Sequence, residues 1–162
     1  MRVAYISLAP FISGAERSLQ TTLRVLPEVG VEPVVVCPPA SKMIPWCEAN
    51  HVSYVTCSLT HRDKWHPFRW WRCLRQMRTI LREQRIDLIH SNQVWSYPAA
   101  GAAGQSLGLP RVCHMRDEVS AEAVHWCCAA GVEAVLCISQ HIERLMRAIW
   151  SNGRRVRGSA RS

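Results

Sequence analysis

Polar residues able to do chemistry recur where apolar runs end. Ser13 and Gly14 follow the run Arg2-Val-Ala-Tyr-Ile-Ser-Leu8. Ser91, Asn92 and Gln93 close the run that starts at Arg85. His114, Arg116 and Asp117 end a run that begins at Arg111, and Ser139 follows Val132 to Ile138. A strand that turns at a glycine into a helix aims free N–H groups, and the positive end of the helix dipole, above the strand's carboxyl edge. A phosphate or a sugar fits there. Gly14 also reads as a residue that merely permits the turn. His114 also reads as a histidine satisfied at a strand end, and Arg116 with Asp117 as a local ion pair, worth about 0–1 kcal/mol if exposed. No pair of carboxylates has a spacing suited to acid–base work. No CxxC and no His/Cys cluster has zinc spacing, so no metal is expected.

These residues share a site only if the elements before them share a sheet. The hydrophobic pattern predicts strands over 2–8, 32–37, 52–57, 85–91, 111–114 and 132–138, alternating with helices. The helices are predicted over Ala15–Leu26, Lys42–Asn50, Phe68–Gln84, Trp95–Leu107, Val119–Ala129 and from Gln140 to about Trp150. Ser41 and Ser139 are the expected caps of two of them. The segment 95–107, rich in alanine and glycine, suits close packing on a sheet. Leu59 to Pro67 is expected to be a polar loop. Alternation of this kind means a Rossmann-like α/β fold, a parallel sheet of about six strands with helices on both faces. The order 3-2-1-4-5-6 places ligands outside the carboxyl ends, near strands 1 and 4.

The chain has 162 residues, 48% of them hydrophobic and 20% charged, as a single globular domain has. Its net charge is +8, and Arg154, Arg155, Arg157 and Arg161 supply half of the excess in a tail without acids. Residues 151–162 are expected to be disordered. Eight scattered cysteines act as small apolar residues in a reducing cytosol, so a cytoplasmic placement is expected. Cys127-Cys128 reads as helix packing rather than a redox pair. Arg69, Arg72, Arg75, Arg78, Arg82 and Arg85 line much of the 68–84 helix beside Trp70 and Trp71. They form a solvated face, or a contact with anionic lipid at the inner face of the membrane. No base-reading motif accompanies them, so nucleic acid is not an expected partner. The absence of GxGxxG after the first strand argues against a dinucleotide oxidoreductase.

Four segments, in order, resemble the amino-terminal domain of family 4 glycosyltransferases of the GT-B type. They are Ser13-Gly14-Ala15-Glu16, Ile86-Asp-Leu-Ile-His-Ser-Asn92, Gly108-Leu-Pro-Arg-Val-Cys-His-Met-Arg-Asp117 and Val135-Leu-Cys-Ile-Ser139. The resemblance covers residues 1–150 and implies one half of a GT-B fold. It implies transfer, with retention, of a sugar from a nucleotide-sugar to a sugar or lipid-linked acceptor, without a metal or other cofactor. Ser13 and Gly14 become the donor-phosphate loop. His114 becomes the catalytic residue beside the transferred sugar. Glu16, Asn92, Arg116, Asp117 and Ser139 become acceptor- or sugar-binding groups. Where the family often has two glycines, this chain has Ser13-Gly14.

The resemblance also implies a second Rossmann-like domain that holds the nucleotide. No pattern for it follows residue 150, so the C-terminal nucleotide-sugar domain is expected to be absent, the isolated chain incomplete, and a second-domain partner implied. The other reading is a non-catalytic basic α/β module that binds anionic membrane or a partner protein.

Overall fold

A computed structural model describes residues 1–58 and 66–158, with side chains to residue 151. The loop expected over 59–67 therefore lies mostly outside the described residues. Six parallel strands form one sheet in the order β3-β2-β1-β4-β5-β6. The strands are β1 Arg2–Ile6, β2 Glu32–Cys37, β3 Ser53–Thr56, β4 Leu88–Ser91, β5 Arg111–Met115 and β6 Ala134–Cys137. The helices are α1 Gly14–Val25, α2 Met43–Ala49, α3 Pro67–Glu83, α4 Tyr97–Leu107, α5 Ala121–Cys127 and α6 Gln140–Gly158. This is the α/β architecture and strand order that the sequence predicts.

Strand alternation divides the core. Val3, Tyr5, Val35 and Cys37 face α1 and α2 and meet Leu19, Leu23, Met43 and Cys47. Ala4, Ile6, Val34, Val36 and Ile89 face the other way, onto Met77, Ile80 and Leu81 of α3 and Ala100 and Ala103 of α4. Cys113 and Met115 continue that second face onto Val124 and Cys127 of α5 and Ile142 and Met146 of α6. All eight cysteines are free thiols. Burial pushes Cys127 up to about 12, so it packs as an uncharged thiol, as the sequence predicts.

On the α1 side, the sheet's β5–β6 half is less covered. His114 and Val112 are half-buried there, and Leu136, paired in register with His114, is 45% exposed. The carboxyl end of β5 therefore opens toward solvent on one face.

Boundaries shift where the backbone turns. The strand expected from Arg85 begins at Leu88, because Arg85 takes φ +49° at the end of α3. Asp87 then fixes the start of the pairing: its carboxylate accepts from Arg2 N–H at 2.7 Å, and its own N–H donates to Arg2 O at 2.8 Å. The final helix runs to Gly158, past the end expected near Trp150, so residues 151–158 are helical rather than irregular. Adding a residue to an existing helix is cheap, and one glycine costs only about 1 kcal/mol. Residues 159–162 lie outside the description.

Candidate functional site

The carboxyl edge is built around α1's first turn. Ser13 sits in extended backbone at the N-cap, and its hydroxyl accepts from Ala15 N–H at 3.2 Å and from Glu16 N–H. Glu16 reciprocates. Its Oε2 accepts from Ser13 N–H at 3.1 Å and from the Ser13 hydroxyl, while its Oε1 accepts from Ser7 Oγ at 3.1 Å. This is a capping box with an added strut to the end of β1. Glu16 is 0% exposed. It was expected among the sugar-binding groups; instead it is a buried structural carboxylate with both oxygens occupied. Ser13 is likewise engaged by the cap, which leaves Gly14 as the part of that loop facing outward. Gly14 is exposed, and a Cβ built on it meets nothing within 4 Å.

Asn92 is the second correction. It is also 0% exposed. Its N–H donates to Ile6 O at 2.9 Å and its side-chain amide donates to Ala15 O at 3.3 Å. Arg116 donates to Asn92 O from Nε and to Asn92 Oδ1 from Nη2, each at 2.9 Å. Asn92 thus ties the end of β1, the first turn of α1 and the loop after β5 into one unit, rather than facing a sugar. Burial pulls the Arg116 guanidinium's pKa down, opposed by the nearby charges of Glu16 and Asp117. The guanidinium balances the buried carboxylate beneath the helix terminus.

His114 stands on the open face. Its ring lies 5.7 Å from that of His90, centroid to centroid, and His90 lies 4.9 Å from Tyr5. Register explains the column: Tyr5 pairs with His90, His90 pairs with Val112, and His114 is two residues on from Val112. Burial, helped by the neighbouring Arg116 charge, lowers His114 to about 4. Burial and the charges of His114 and Arg116 lower His90 to about 4 as well. Both imidazoles are therefore neutral near pH 7. A neutral imidazole at the rim can donate or accept one hydrogen bond without bringing a charge.

Asp117 is exposed beside Arg116. Ser139 is exposed and caps α6, its hydroxyl accepting from Ile142 N–H at 3.3 Å. The tips of β1, β4 and β5 do converge, as expected, but of Gly14, Asn92 and His114 at those tips Asn92 braces the rim, while Gly14 faces outward and His114 stands on the open face. His90, Tyr5 and Ser7 are the residues that sequence reasoning did not single out. Counting by twos along β4 and β5 puts both histidines on one side of the sheet, and that signal was available. Among the described residues no group of three or more metal-binding side chains occurs.

On α3 the lipid-facing candidates separate. Trp71 is 55% exposed with Arg75 stacked over its ring at 5.7 Å, and Arg69 and Arg72 are exposed. Trp70 is instead half-buried, in a groove it lines with Pro98, Ala102 and Gln105 of α4 and Trp126 of α5. It therefore leaves the membrane-facing set, because its position on the helix points toward α4. Among the described residues no helix is long and apolar enough to cross a membrane.

The sequence profile of Glycosyltransferase Family 4 matches residues 12–157. The chain belongs to glycosyltransferase family 4. No curated protein matches this family 4 domain by sequence. Solved structures share its fold. HepE of Anabaena in complex with UDP is 14% identical over 92% of this chain and 41% of its own, with a TM-score of 0.73. MurG of Acinetobacter baumannii is 12% identical over 87% of this chain and 42% of its own, with a TM-score of 0.70. The lipopolysaccharide outer core galactosyltransferase WaaB, in its apo form, is 16% identical over 92% of this chain and 42% of its own, with a TM-score of 0.67. The family 4 domain thus spans about two fifths of the length of these structures.

Proposed function

We propose that this domain is the acceptor-side half of a retaining glycosyltransferase that moves a sugar from a nucleoside diphosphate to a sugar or lipid-linked acceptor. The observation that carries the reading is His114. It is a neutral imidazole on the open face, two residues before a guanidinium locked to Asn92. Structures of the same fold were solved with UDP-glucose, for HepE, and with thymidine diphosphate, for the rhamnosyltransferase SpnG.

Sugar transfer passes through an oxocarbenium-like state while charge grows on the departing diphosphate. His114 serves that state by hydrogen bonding a hydroxyl of the sugar, and its neutrality avoids repelling the developing cation. Gly14 offers open space for close approach to the diphosphate. Ser13 and Glu16 contribute only by holding that turn. The buried carboxylate of Glu16 makes this a poor anion site by itself, so the main charge stabilisation of the leaving group comes from outside this chain. Arg116 and Asp117 shape the acceptor side. The test is a chimera carrying the nucleotide-binding half of HepE, assayed for sugar transfer. His114→Ala is expected to lower the rate on the order of 10²-fold, the cost of losing one preorganised donor. An unchanged rate sinks the placing of the site.

A second reading rests on a separate observation. At the start of α3, Phe68 is 85% exposed beside Trp71, with Arg69, Arg72 and Arg75 around them. Exposed aromatics ringed by arginine suit a peripheral contact with anionic lipid, which brings a lipid-linked acceptor to the rim.

A further inference from the structure

The ring column at the carboxyl edge contains two unexplained atoms. His90 Nε2 and His114 Nδ1 are both buried, and neither has a hydrogen-bond partner among the described residues. They belong to adjacent strands, on the same face, in rings whose centroids are 5.7 Å apart and whose planes are tilted by 39°. An unpaired buried nitrogen has lost its hydration without a replacement partner, which is unfavourable. Two such atoms side by side have a common remedy. A neutral imidazole carries one N–H and one lone pair, so one ring can donate what the other accepts. The terminal torsion of histidine is soft, and the bond forms when the rings turn these nitrogens toward each other and close by a few tenths of an ångström.

We propose that His90 is the positioning residue of His114: its Nε2–H donates to His114 Nδ1 and fixes the proton of His114 on Nε2. Tyr5, packed 4.9 Å from His90, holds the donor ring in its place on the sheet. The consequence is directional. With Nδ1 occupied below, His114 presents an N–H donor, not a lone pair, at its other nitrogen. A donor selects acceptor oxygens, such as a sugar hydroxyl or a phosphate oxygen. The low proton affinity of both rings agrees with this, since the pair stays neutral and keeps one proton on each ring. The purpose of the arrangement rests on the sugar-facing reading of His114; the hydrogen bond itself does not.

The experiment is long-range proton–nitrogen correlation on the nitrogen-15-labelled chain near neutral pH, without sugar. The expected result is His114 protonated on Nε2 with a lone pair on Nδ1, and a scalar coupling across the hydrogen bond between His90 Nε2 and His114 Nδ1. A hydrogen bond of ordinary strength biases the tautomer ratio about five- to tenfold. His90→Phe is expected to abolish that bias, and His90→Gln, which keeps an N–H donor, to retain it. A proton on Nδ1 of His114 in the unaltered chain, or a tautomer unmoved by His90→Phe, overturns the proposal. If His90→Phe does not fold, the coupling and the His90→Gln spectrum decide, and absence of the coupling counts against it. UDP-glucose is then titrated into the folded variants fused to the nucleotide-binding half of HepE. A lost tautomer bias with unchanged affinity sustains the hydrogen bond and removes the sugar-facing role from His114.

Discussion

Arg116 grips Asn92 at two points, Nε on the main-chain oxygen and Nη2 on Oδ1, both at 2.9 Å. Because Asn92 also donates to Ala15 O, the loop after β5 and the first turn of α1 are held to one side chain. A lysine has no planar fork and cannot make both bonds. Arg116→Lys is expected to cost about 1–3 kcal/mol, since it leaves a buried acceptor unpaired. Urea denaturation measures it. A double-mutant cycle with Asn92→Ala should show strong coupling; additive losses would mean that the two residues act separately.

The capping box yields a second expectation. Glu16→Ala removes the acceptors of Ser13 N–H, Ser13 Oγ and Ser7 Oγ together. The expected loss is about 2 kcal/mol, at the upper end for an N-cap because the group is buried. Ser13→Ala, which removes one hydroxyl, should cost less. A Glu16→Ala variant as stable as the parent would show that the carboxylate contributes nothing net.

The strand order and the rim were legible from the sequence because each rests on short-range pattern. Apolar runs gave the strands, right-handed connections restricted the order, and the polar residues follow directly from the strand ends. What the residues at the rim do was less legible. Glu16 and Asn92 look like site residues because they are polar at strand ends, yet both are buried, and only the three-dimensional arrangement shows which partners fill their bonds. A capping box was readable from Ser13 and Glu16 at their three-residue spacing. Trp70 and Trp71 are neighbours in sequence with opposite environments, which depends on how α3 seats against α4. The notional end near Trp150 missed because a single glycine weakens a helix without ending it.

The paired histidines make stability depend on pH. Both have folded values of about 4, below the ordinary 6.5, because burial disfavours their charged forms, with Arg116 adding to the effect. The unfolded chain therefore binds more protons between those values. The stabilisation is complete above about 6.5 and is lost as pH falls toward 4. The expected loss is on the order of 2 kcal/mol between about pH 7 and about pH 5, after discounting for partial exposure and for the coupling of the two rings. A His90→Phe, His114→Phe double variant should flatten the urea midpoint over that range. An equally steep profile in the double variant would assign the slope to other groups.

Two glycines should respond oppositely. A Cβ on Gly104 would lie 2.5 Å from Ile89 Cδ1 and 3.0 Å from Arg111 Cδ, where α4 lies close on β4 and β5. Gly104→Val is expected to destabilise by about 1–3 kcal/mol through overpacking. Gly14 has open space around it and no positive φ, so Gly14→Ala should be neutral or stabilise α1 by up to about 1 kcal/mol. If the diphosphate approaches there, the same Gly14→Ala change weakens UDP-glucose binding in the HepE chimera while thermal stability holds. Unchanged binding would remove Gly14 from the donor site.

The basic end of α3 is tested by vesicle co-sedimentation. Arg69, Arg72 and Arg75 are exposed on the helix that carries Phe68 and Trp71, so charge and apolar insertion act at one surface. Each arginine near an anionic bilayer contributes about 1 kcal/mol. Replacing all three with glutamine should therefore weaken binding to phosphatidylserine-rich vesicles on the order of 10²-fold, and added salt should weaken the parent in the same direction. Phe68→Ser with Trp71→Ser keeps every charge, so its loss of binding should persist at high salt, where insertion rather than attraction dominates. Equal sedimentation with neutral and anionic vesicles rules out the electrostatic contact. Binding unaffected by both sets of changes rules out α3 as the surface.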